Sequence, residues 1–361
     1  MITPRRETTL TVLITGGCGF IGSHFVRLIL RERPNWKVIN VDKLTYAGNF
    51  ENILDLKDLT APPRYRFVRA DIADFSQISK IFDSQKIDIV VNLAAETHVD
   101  RSLLDSAPFL QTNVEGTRVL LDISRTHEIS RFLQVSTDEV YGSLGPTDKP
   151  FTEQSLLHPN SPYAASKAAS DLFVRAYHHS YGFPAIVTRC GNNYGPYQFP
   201  EKFLPLFITN ALDNQTLPLY GDGQHIRDWI HVEDHAQALL QVLEQGTTGE
   251  VYNVSADQEQ TNQQMAEWMF DILQKPRDLI RHVQDRPGHD RRYGLDATKI
   301  RSELGWQPSI SLYQGLKDTI RWYREHRDWW ERIKSGEYRN YYKQMYGNRR
   351  VVKSKENFTV S

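Results

Sequence analysis

The chain has 361 residues, 43 Lys and Arg against 44 Asp and Glu for a formal charge of −1, with 40% hydrophobic and 24% charged residues. That is enough chain, of ordinary globular composition, for a large core in one or two domains. The balance gives no field to draw in nucleic acid or an anionic membrane, no apolar run is long enough to span a bilayer, and two cysteines, Cys18 and Cys190, make no disulfide framework.

In chain order, residues 11–15 read as a first buried strand and 20–31 as the helix behind it. Residues 38–42, 66–70, 87–93, 132–136 and 185–188 are further apolar, β-branched runs, separated by helix-like stretches. Such alternation implies right-handed βαβ units and a parallel sheet covered on both faces, a Rossmann-like doubly wound α/β fold. After Cys190 the pattern changes. Residues 191–203, rich in Asn, Gly, Pro and Tyr, read as a loop carrying polar side chains. A strand at 250–254 is expected to return to the sheet, and helices at 263–274 and 312–326 to form a smaller, mostly helical C-terminal domain.

Gly16, Gly19 and Gly22 follow the first strand and open the helix after it. Their spacing differs from the standard dinucleotide fingerprint, but the physics is shared. A tight turn lets the backbone approach a pyrophosphate, and the helix dipole favours the anion. Asp42 closes the second strand, placed to accept from adenosine ribose hydroxyls and to repel a 2′-phosphate, which favours NAD over NADP. A strand–helix loop without a ligand is the alternative. Asp42 and the further acids at Asp71 and Glu96 argue against it.

Asp138 and Glu139 follow the strand at 132–136, a poor way to end a strand that is only structural. They stand where ligands sit in parallel α/β sheets, outside the carboxyl ends of the strands. Two carboxylates in unlike environments supply an acid and a base; the competing reading is a solvated strand end. Tyr163 and Lys167 lie four apart, on one face of a helix. As a base near neutrality the tyrosine needs a pKa about three units below its usual value of about 10, worth about 4 kcal/mol. One cation about 4 Å away at an effective dielectric near 20 supplies roughly that. Lys167 is expected to do so, with a hydroxyl from Thr137 or Ser136 assisting. Alone, this Tyr–Lys spacing is more often a surface pair; beside the glycine turn it points to nicotinamide chemistry.

These residues resemble the extended short-chain dehydrogenase/reductase superfamily over nearly the whole chain. Within it, residues 93–102 (LAAETHVDRS), 137–142 (TDEVYG), 189–202 (RCGNNYGPYQFPEK), 227–229 (RDW) and 285–293 (DRPGHDRRY) are similar to the dTDP-glucose 4,6-dehydratase family. Gly191 departs from the family's usual Ser, a missing hydroxyl expected to matter little. The resemblance implies that Tyr163 takes the 4-hydroxyl proton of the glucose while a hydride leaves C4 for NAD. Glu139 then removes the C5 proton and Asp138, kept protonated, gives its proton to the departing 6-hydroxyl. With the hydride returned to C6, dTDP-glucose becomes dTDP-4-keto-6-deoxyglucose and the cofactor ends unchanged.

The same resemblance adds Phe20, Ile21, Lys43, Leu44, Thr45, Asp71, Ile72, Leu93, Ala94, Ala95, Thr112 and Asn193 to the NAD site, beside Tyr163 and Lys167. It places Thr97, Thr137, Asn192, Lys202, Phe203, Pro218, Tyr220, Arg227, Asn262, Arg286 and His289 around the nucleotide sugar. The implied organisation is an NAD-binding domain over 8–190, joined again by a late strand and helix from about 228–256. A discontinuous nucleotide-sugar-binding domain covers 191–333 and a polar, basic tail 334–361. A homodimer through helices around 105–126 and 162–181, with Ala165, Ala169 and Leu172 at the contact, is implied as well. No metal is expected, since His178 and His179 diverge on a helix and no acid or cysteine pattern suits zinc. Residues 1–7 lack the apolar core of a secretory signal, so the sequon at 357–359 reads as chance and the cytoplasm is expected.

Several readings stay open. Nothing in the sequence alone reads the base, so a UDP- or CDP-glucose substrate remains. A nucleotide-sugar 4-epimerase or decarboxylase needs the Tyr–Lys pair and NAD, but no acid to expel a 6-hydroxyl. A catalytically silent NAD-binding protein predicts a damaged catalytic set, and this set is complete.

Overall fold

The computed structural model describes residues 9–57, 64–335, 342–343 and 351; most of the tail expected over 334–361 lies outside them. The strands are β1 (Thr11–Thr15), β2 (Lys37–Asp42), β3 (Tyr65–Arg69), β4 (Ile89–Asn92), β5 (Arg131–Thr137) and β6 (Ala185–Cys190). Beyond them come β7 (Asn192–Tyr194), β8 (Leu217–Tyr220), β9 (Ile226–His231), β10 (Val251–Val254), β11 (Glu259–Thr261) and β12 (Ile280–Val283). Seven of them form one parallel sheet in the order β10-β6-β5-β4-β1-β2-β3. Val12, Leu13 and Ile14 of β1 are fully buried in succession, because helices cover both faces and leave no solvent side to alternate with.

In chain order the helices of this sheet are α1 (Phe20–Glu32), α2 (Phe75–Ser84), α3 (Val99–Leu104), α4 (Ala107–Phe109), α5 (Thr117–Thr126) and α6 (Pro162–Tyr181). Farther on are α7 (Phe203–Leu212), α8 (Val232–Gln245), α9 (Asn262–Leu273), α10 (Thr298–Leu304), α11 (Leu312–Glu325) and α12 (Arg327–Lys334). Phe25 and Ile29 of α1 join Leu239 and Val242 of α8 in the core on one face. Ile78 of α2, Leu120 of α5 and Val174 of α6 fill the other. Helix α6 shows how locally the boundaries are set. The Ser161 hydroxyl caps the Ala164 N–H at 3.1 Å, Pro162 fits the first turn, and Gly182 leaves the helix at φ +65°.

The sheet progresses outward in opposite directions from β1 and β4. The crevice between their carboxyl ends is the topological switch point, where open α/β sheets bind ligands. A second core lies beyond it, built from Phe207 of α7, Phe270 of α9, Leu316 of α11 and Trp329 and Trp330 of α12. The expected return to the large sheet is made by α8 and β10, whereas β9 stays outside it. Two small sheets, β11-β9-β7 and β12-β8, accompany the helices there, so this part is less helical than expected. The stretch at 191–203, expected to be a loop, carries β7, held by parallel pairing of Asn192 to Trp229 and Tyr194 to His231.

Candidate active site

One pocket opens at the switch point. Its walls include Gly16, Gly19, Phe20, Ile21, Gly22, Asp42, Lys43, Thr45, Asp71 and Ile72 on the β1–β3 side. Leu93, Ala94, Ala95, Thr97, Thr112, Thr137, Asp138, Glu139, Tyr163, Lys167, Asn192, Asn193 and Lys202 complete it. Leu44, expected at the cofactor, does not line it; its backbone sits at φ +58° and its N–H donates to Asp42 at 2.8 Å.

The glycine turn is as tight as its sequence suggests. A Cβ at Gly16 (φ +72°) would stand 2.7 Å from the Ala94 nitrogen, and one at Gly22 would stand 2.2 Å from the Gly16 carbonyl oxygen. Asp42 accepts from the Cys18 N–H at 3.0 Å and from Leu44, which uses two of its roughly four lone-pair positions. Burial pushes the Asp42 carboxyl up, opposed by these two hydrogen bonds. Asn52 holds the turn from behind, donating to the Cys18 carbonyl at 3.0 Å and accepting from Trp329 Nε1 of α12 at 3.0 Å. A backbone cradle without room for side chains and an anchored carboxylate at the end of β2 fit NAD.

Between α4 and α5 the helix widens into a π-helical segment, Leu110–Gly116. From it Asn113 accepts from the Glu96 N–H at 2.9 Å and donates to the Glu96 carbonyl at 3.1 Å and the Ser166 hydroxyl at 2.8 Å. One side chain thus ties the loop after β4 to the first turns of α6, where Tyr163 and Lys167 reside.

Lys167 differs from expectation. Its Nζ donates to the Val135 carbonyl of β5 at 2.7 Å, and burial lowers its pKa against the charge of Asp171. The Tyr163 phenol is held well above its ordinary value by burial, then by the charges of Glu139 and Cys190, with a hydrogen bond to Thr137 opposing. The lowered phenol that the Tyr–Lys spacing suggested is therefore not a property of these side chains by themselves. Behind the site, Asp171 and Arg189 pair at 2.9 Å, both buried, and Arg189 also donates to the Tyr141 hydroxyl at 2.9 Å.

Asp138 and Glu139 are adjacent but unlike. Burial and then the Glu139 charge push Asp138 well above the usual carboxylate range. Its Oδ1 accepts from the Thr137 hydroxyl at 3.0 Å, while Oδ2 is buried with no partner. Glu139 is also raised by burial, but Arg286, Lys202 and Arg227 all pull it back toward the ionised form. Burial disfavours charge on both, but three cations oppose it at Glu139, whereas at Asp138 the Glu139 charge adds to it.

Those cations come from the segments between β7 and α10. Lys202 Nζ donates to the Thr97 carbonyl at 2.9 Å. Arg227 donates to the Asp290 carbonyl at 3.0 Å and lies 4.4 Å above the Tyr293 ring. Arg286 pairs with Asp100 at 2.8 Å, and the Tyr220 hydroxyl donates to the other oxygen of Asp100 at 3.0 Å. Against burial, which raises it, Arg286 brings Asp100 down to about 2. Asp100 lies in a motif already singled out by resemblance, yet only its contact with Arg286 gives it a function. Of the remaining expected sugar-site residues, the Asn262 N–H donates to the His225 carbonyl at 2.9 Å. Phe203 packs on Phe207 and Trp229, and Pro218 is buried in β8.

Gly191 also lines the pocket, and its missing side chain has a steric reason. A Cβ there would stand 2.7 Å from the Asp228 carbonyl oxygen of β9. His225, Asp285 and His289 place three donor atoms within 4.8 Å of one another. The two imidazoles are stacked, however, with centroids 3.7 Å apart and planes 14° apart. Their lone pairs run nearly side by side, and a single ion does not lie in both ring planes.

Fold and site together define a Rossmann-type enzyme of the short-chain dehydrogenase/reductase class. The GDP-mannose 4,6 dehydratase family model matches residues 13–319, and the chain belongs to that family and, within it, to the dTDP-glucose 4,6-dehydratases. The dTDP-glucose 4,6-dehydratase of Neisseria meningitidis serogroup B is 49% identical over 348 residues, covering 91% of this chain and 97% of the relative. The crystal structure of the dTDP-glucose 4,6-dehydratase from Streptomyces venezuelae with NAD and TYD bound superposes with a TM-score of 0.86 at 49% identity, covering 90% of this chain and 100% of that one. The dTDP-glucose 4,6-dehydratase from Bacillus anthracis in complex with NAD gives a TM-score of 0.84 at 44% identity, with coverage of 90% and 100%.

Proposed function

We propose that this chain dehydrates dTDP-glucose to dTDP-4-keto-6-deoxyglucose with bound NAD, and that the unlike pair Asp138 and Glu139 carries the reading. Gly16, Gly19, Gly22, Asp42, Lys43, Asp71 and Asn193 would hold the cofactor; Lys202, Arg227, Arg286 and His289 would hold the diphosphate side of the sugar nucleotide. NAD supplies a hydride acceptor for C4, a hydride donor for C6, and a positive ring that offsets the burial of Tyr163. As the phenolate, Tyr163 would take the 4-hydroxyl proton, and Lys167, one helical turn on and fixed on the Val135 carbonyl, would supply the cation that favours that form. The resulting ketone acidifies C5, and Glu139, held toward its ionised form by three cations, removes that proton. Asp138, kept neutral by burial and by Glu139, gives its proton to the 6-hydroxyl, which leaves as water. Glu139 returns a proton to C5 as C6 is reduced, Tyr163 releases the 4-hydroxyl proton to solvent, and Asp138 regains one from it.

The reading extends to organisation. The segment 191–333, without α8 and β10, forms the sugar-nucleotide lobe over the NAD-binding sheet. Leu110, Leu172 and Phe173, exposed on the π-helical segment and α6, mark the contact of a homodimer. Two buried cysteines, neither in a disulfide, suit the cytoplasm, and no helix among the described residues is long and apolar enough to cross a membrane.

The test incubates the purified protein with dTDP-glucose and, separately, UDP-glucose, and weighs the products. Loss of one water from dTDP-glucose without net consumption of NAD is expected. An unchanged mass with conversion to the C4 isomer refutes the dehydratase reading in favour of an epimerase.

A further inference from the structure

His225 takes no part in the chemistry above, yet it is almost completely buried. It sits in the turn between β8 and β9, two residues before Arg227, facing the loop that carries Arg286 and His289. Its Nε2 is 3.1 Å from Asp285 Oδ2. The other oxygen, Oδ1, accepts from His289 Nδ1 at 2.6 Å and from the Arg286 main-chain N–H at 2.8 Å. The two rings stack. One carboxylate therefore grips both His289 and the backbone of Arg286, and His225 holds the free end of that carboxylate while lying flat against the His289 ring. The remaining nitrogen of His225, Nδ1, is buried without a partner. One nitrogen of the ring is thus desolvated without compensation, and the other spends its bond on Asp285.

We propose that His225 is a positioning residue for nucleotide-sugar binding, acting through Asp285 to hold His289 and Arg286 in place for the diphosphate. It touches no substrate; it lowers the cost of ordering the groups that do. The inference rests on the sugar-nucleotide reading of this lobe.

Three variants separate the components. His225→Phe keeps a flat ring on His289 but loses the donor to Asp285. His225→Gln keeps a donor and loses the ring. Asp285→Asn keeps the shape of the clamp but cannot accept from both histidines. Each is titrated calorimetrically with thymidine diphosphate and assayed with dTDP-glucose on the NAD-loaded enzyme. His225→Phe is expected to weaken thymidine diphosphate binding about tenfold, the loss of one hydrogen bond to a charged group, with KM rising in step and kcat changing less. Asp285→Asn is expected to lose at least as much, and His225→Gln to recover most of the affinity.

Wild-type affinity in His225→Phe overturns the proposal, as does an equal loss in the Phe and Gln variants or a fall in kcat at constant KM. Should His225→Phe fail to fold, an affinity for Asp285→Asn equal to that of wild type overturns it instead. A wild-type protein that does not bind thymidine diphosphate removes the sugar-nucleotide reading itself, and this inference with it.

Discussion

Replacing Asp138 by Asn separates the proton from the shape of the side chain that carries it. The amide keeps the volume, and its oxygen still accepts from the Thr137 hydroxyl, 3.0 Å away in the native chain. It has no acidic proton for a departing 6-hydroxyl. Losing a positioned general acid costs about 10²–10⁴-fold in rate, which is about 2.7–5.4 kcal/mol at about 1.36 kcal/mol per decade.

Stability moves the other way. Burial and Glu139 raise Asp138 above its unfolded value, so in the interval between the two values the native state holds the proton that the unfolded chain has lost. The contribution is complete below the unfolded value of about 3.9 and falls by about 1.36 kcal/mol per pH unit as pH rises toward the native one. Asp138→Asn escapes that loss, so its melting temperature gains on wild type as the buffer goes from about pH 5 to about pH 8. Product formation by mass and thermal unfolding across that range read the two effects. A variant within about tenfold of wild-type turnover refutes the acid role. A melting-temperature difference that stays flat with pH refutes the raised native carboxyl.

Tyr163→Phe removes the acceptor of the 4-hydroxyl proton and is expected to slow turnover of dTDP-glucose about 10²–10⁴-fold, with thymidine diphosphate affinity little changed by calorimetry; near-normal turnover removes Tyr163 from that role. Gly22→Ala puts a Cβ against the Gly16 carbonyl oxygen, so protein recovered from gel filtration should carry far less NAD by chromatographic assay than wild type; equal NAD content contradicts the cradle. Asp171→Ala leaves the buried Arg189 guanidinium without its carboxylate and is expected to cost about 3–5 kcal/mol in denaturant unfolding; a loss below about 1 kcal/mol, the scale of an exposed pair, shows the pair to be solvated. Light scattering at micromolar concentration should give twice the chain mass of 41.8 kDa, and a monomer mass refutes the dimer face.

The inner strands of the large sheet were legible because they are short apolar runs buried on both faces, whereas the edge strand β3, with Arg66 and Arg69 exposed, showed only through its place in the series. Even the late return of β10 showed in the sequence. What failed was structure set by pairing rather than by composition. Asn192–Tyr194 looks like loop because two asparagines beside glycine carry no strand signal; parallel pairing with β9 makes it a strand. Ile280–Val283 carries Arg281 and His282 at its centre and escaped notice for the same reason.

In the site, the glycine turn, Asp42, Asp138–Glu139 and Tyr163–Lys167 could be read locally, since each is one turn of chain. The direction of the Tyr163 shift could not, because it depends on how deeply the ring is buried. Nor could Asp100 be tied to Arg286, or His225 to His289, because only the fold brings those pairs together.

Asn52 fastens the glycine turn to a helix far along the chain. Its partner Trp329 is 277 positions away, and Arg332 in the same helix pairs with Glu51 at 2.6 Å. A nascent chain leaving the ribosome therefore displays the whole glycine turn long before the brace behind it can form. The brace behind the turn forms only once α12 has emerged and docked. A ribosome that stops short of Arg327 releases a chain with every residue of the turn and no Trp329 to hold Asn52 in place.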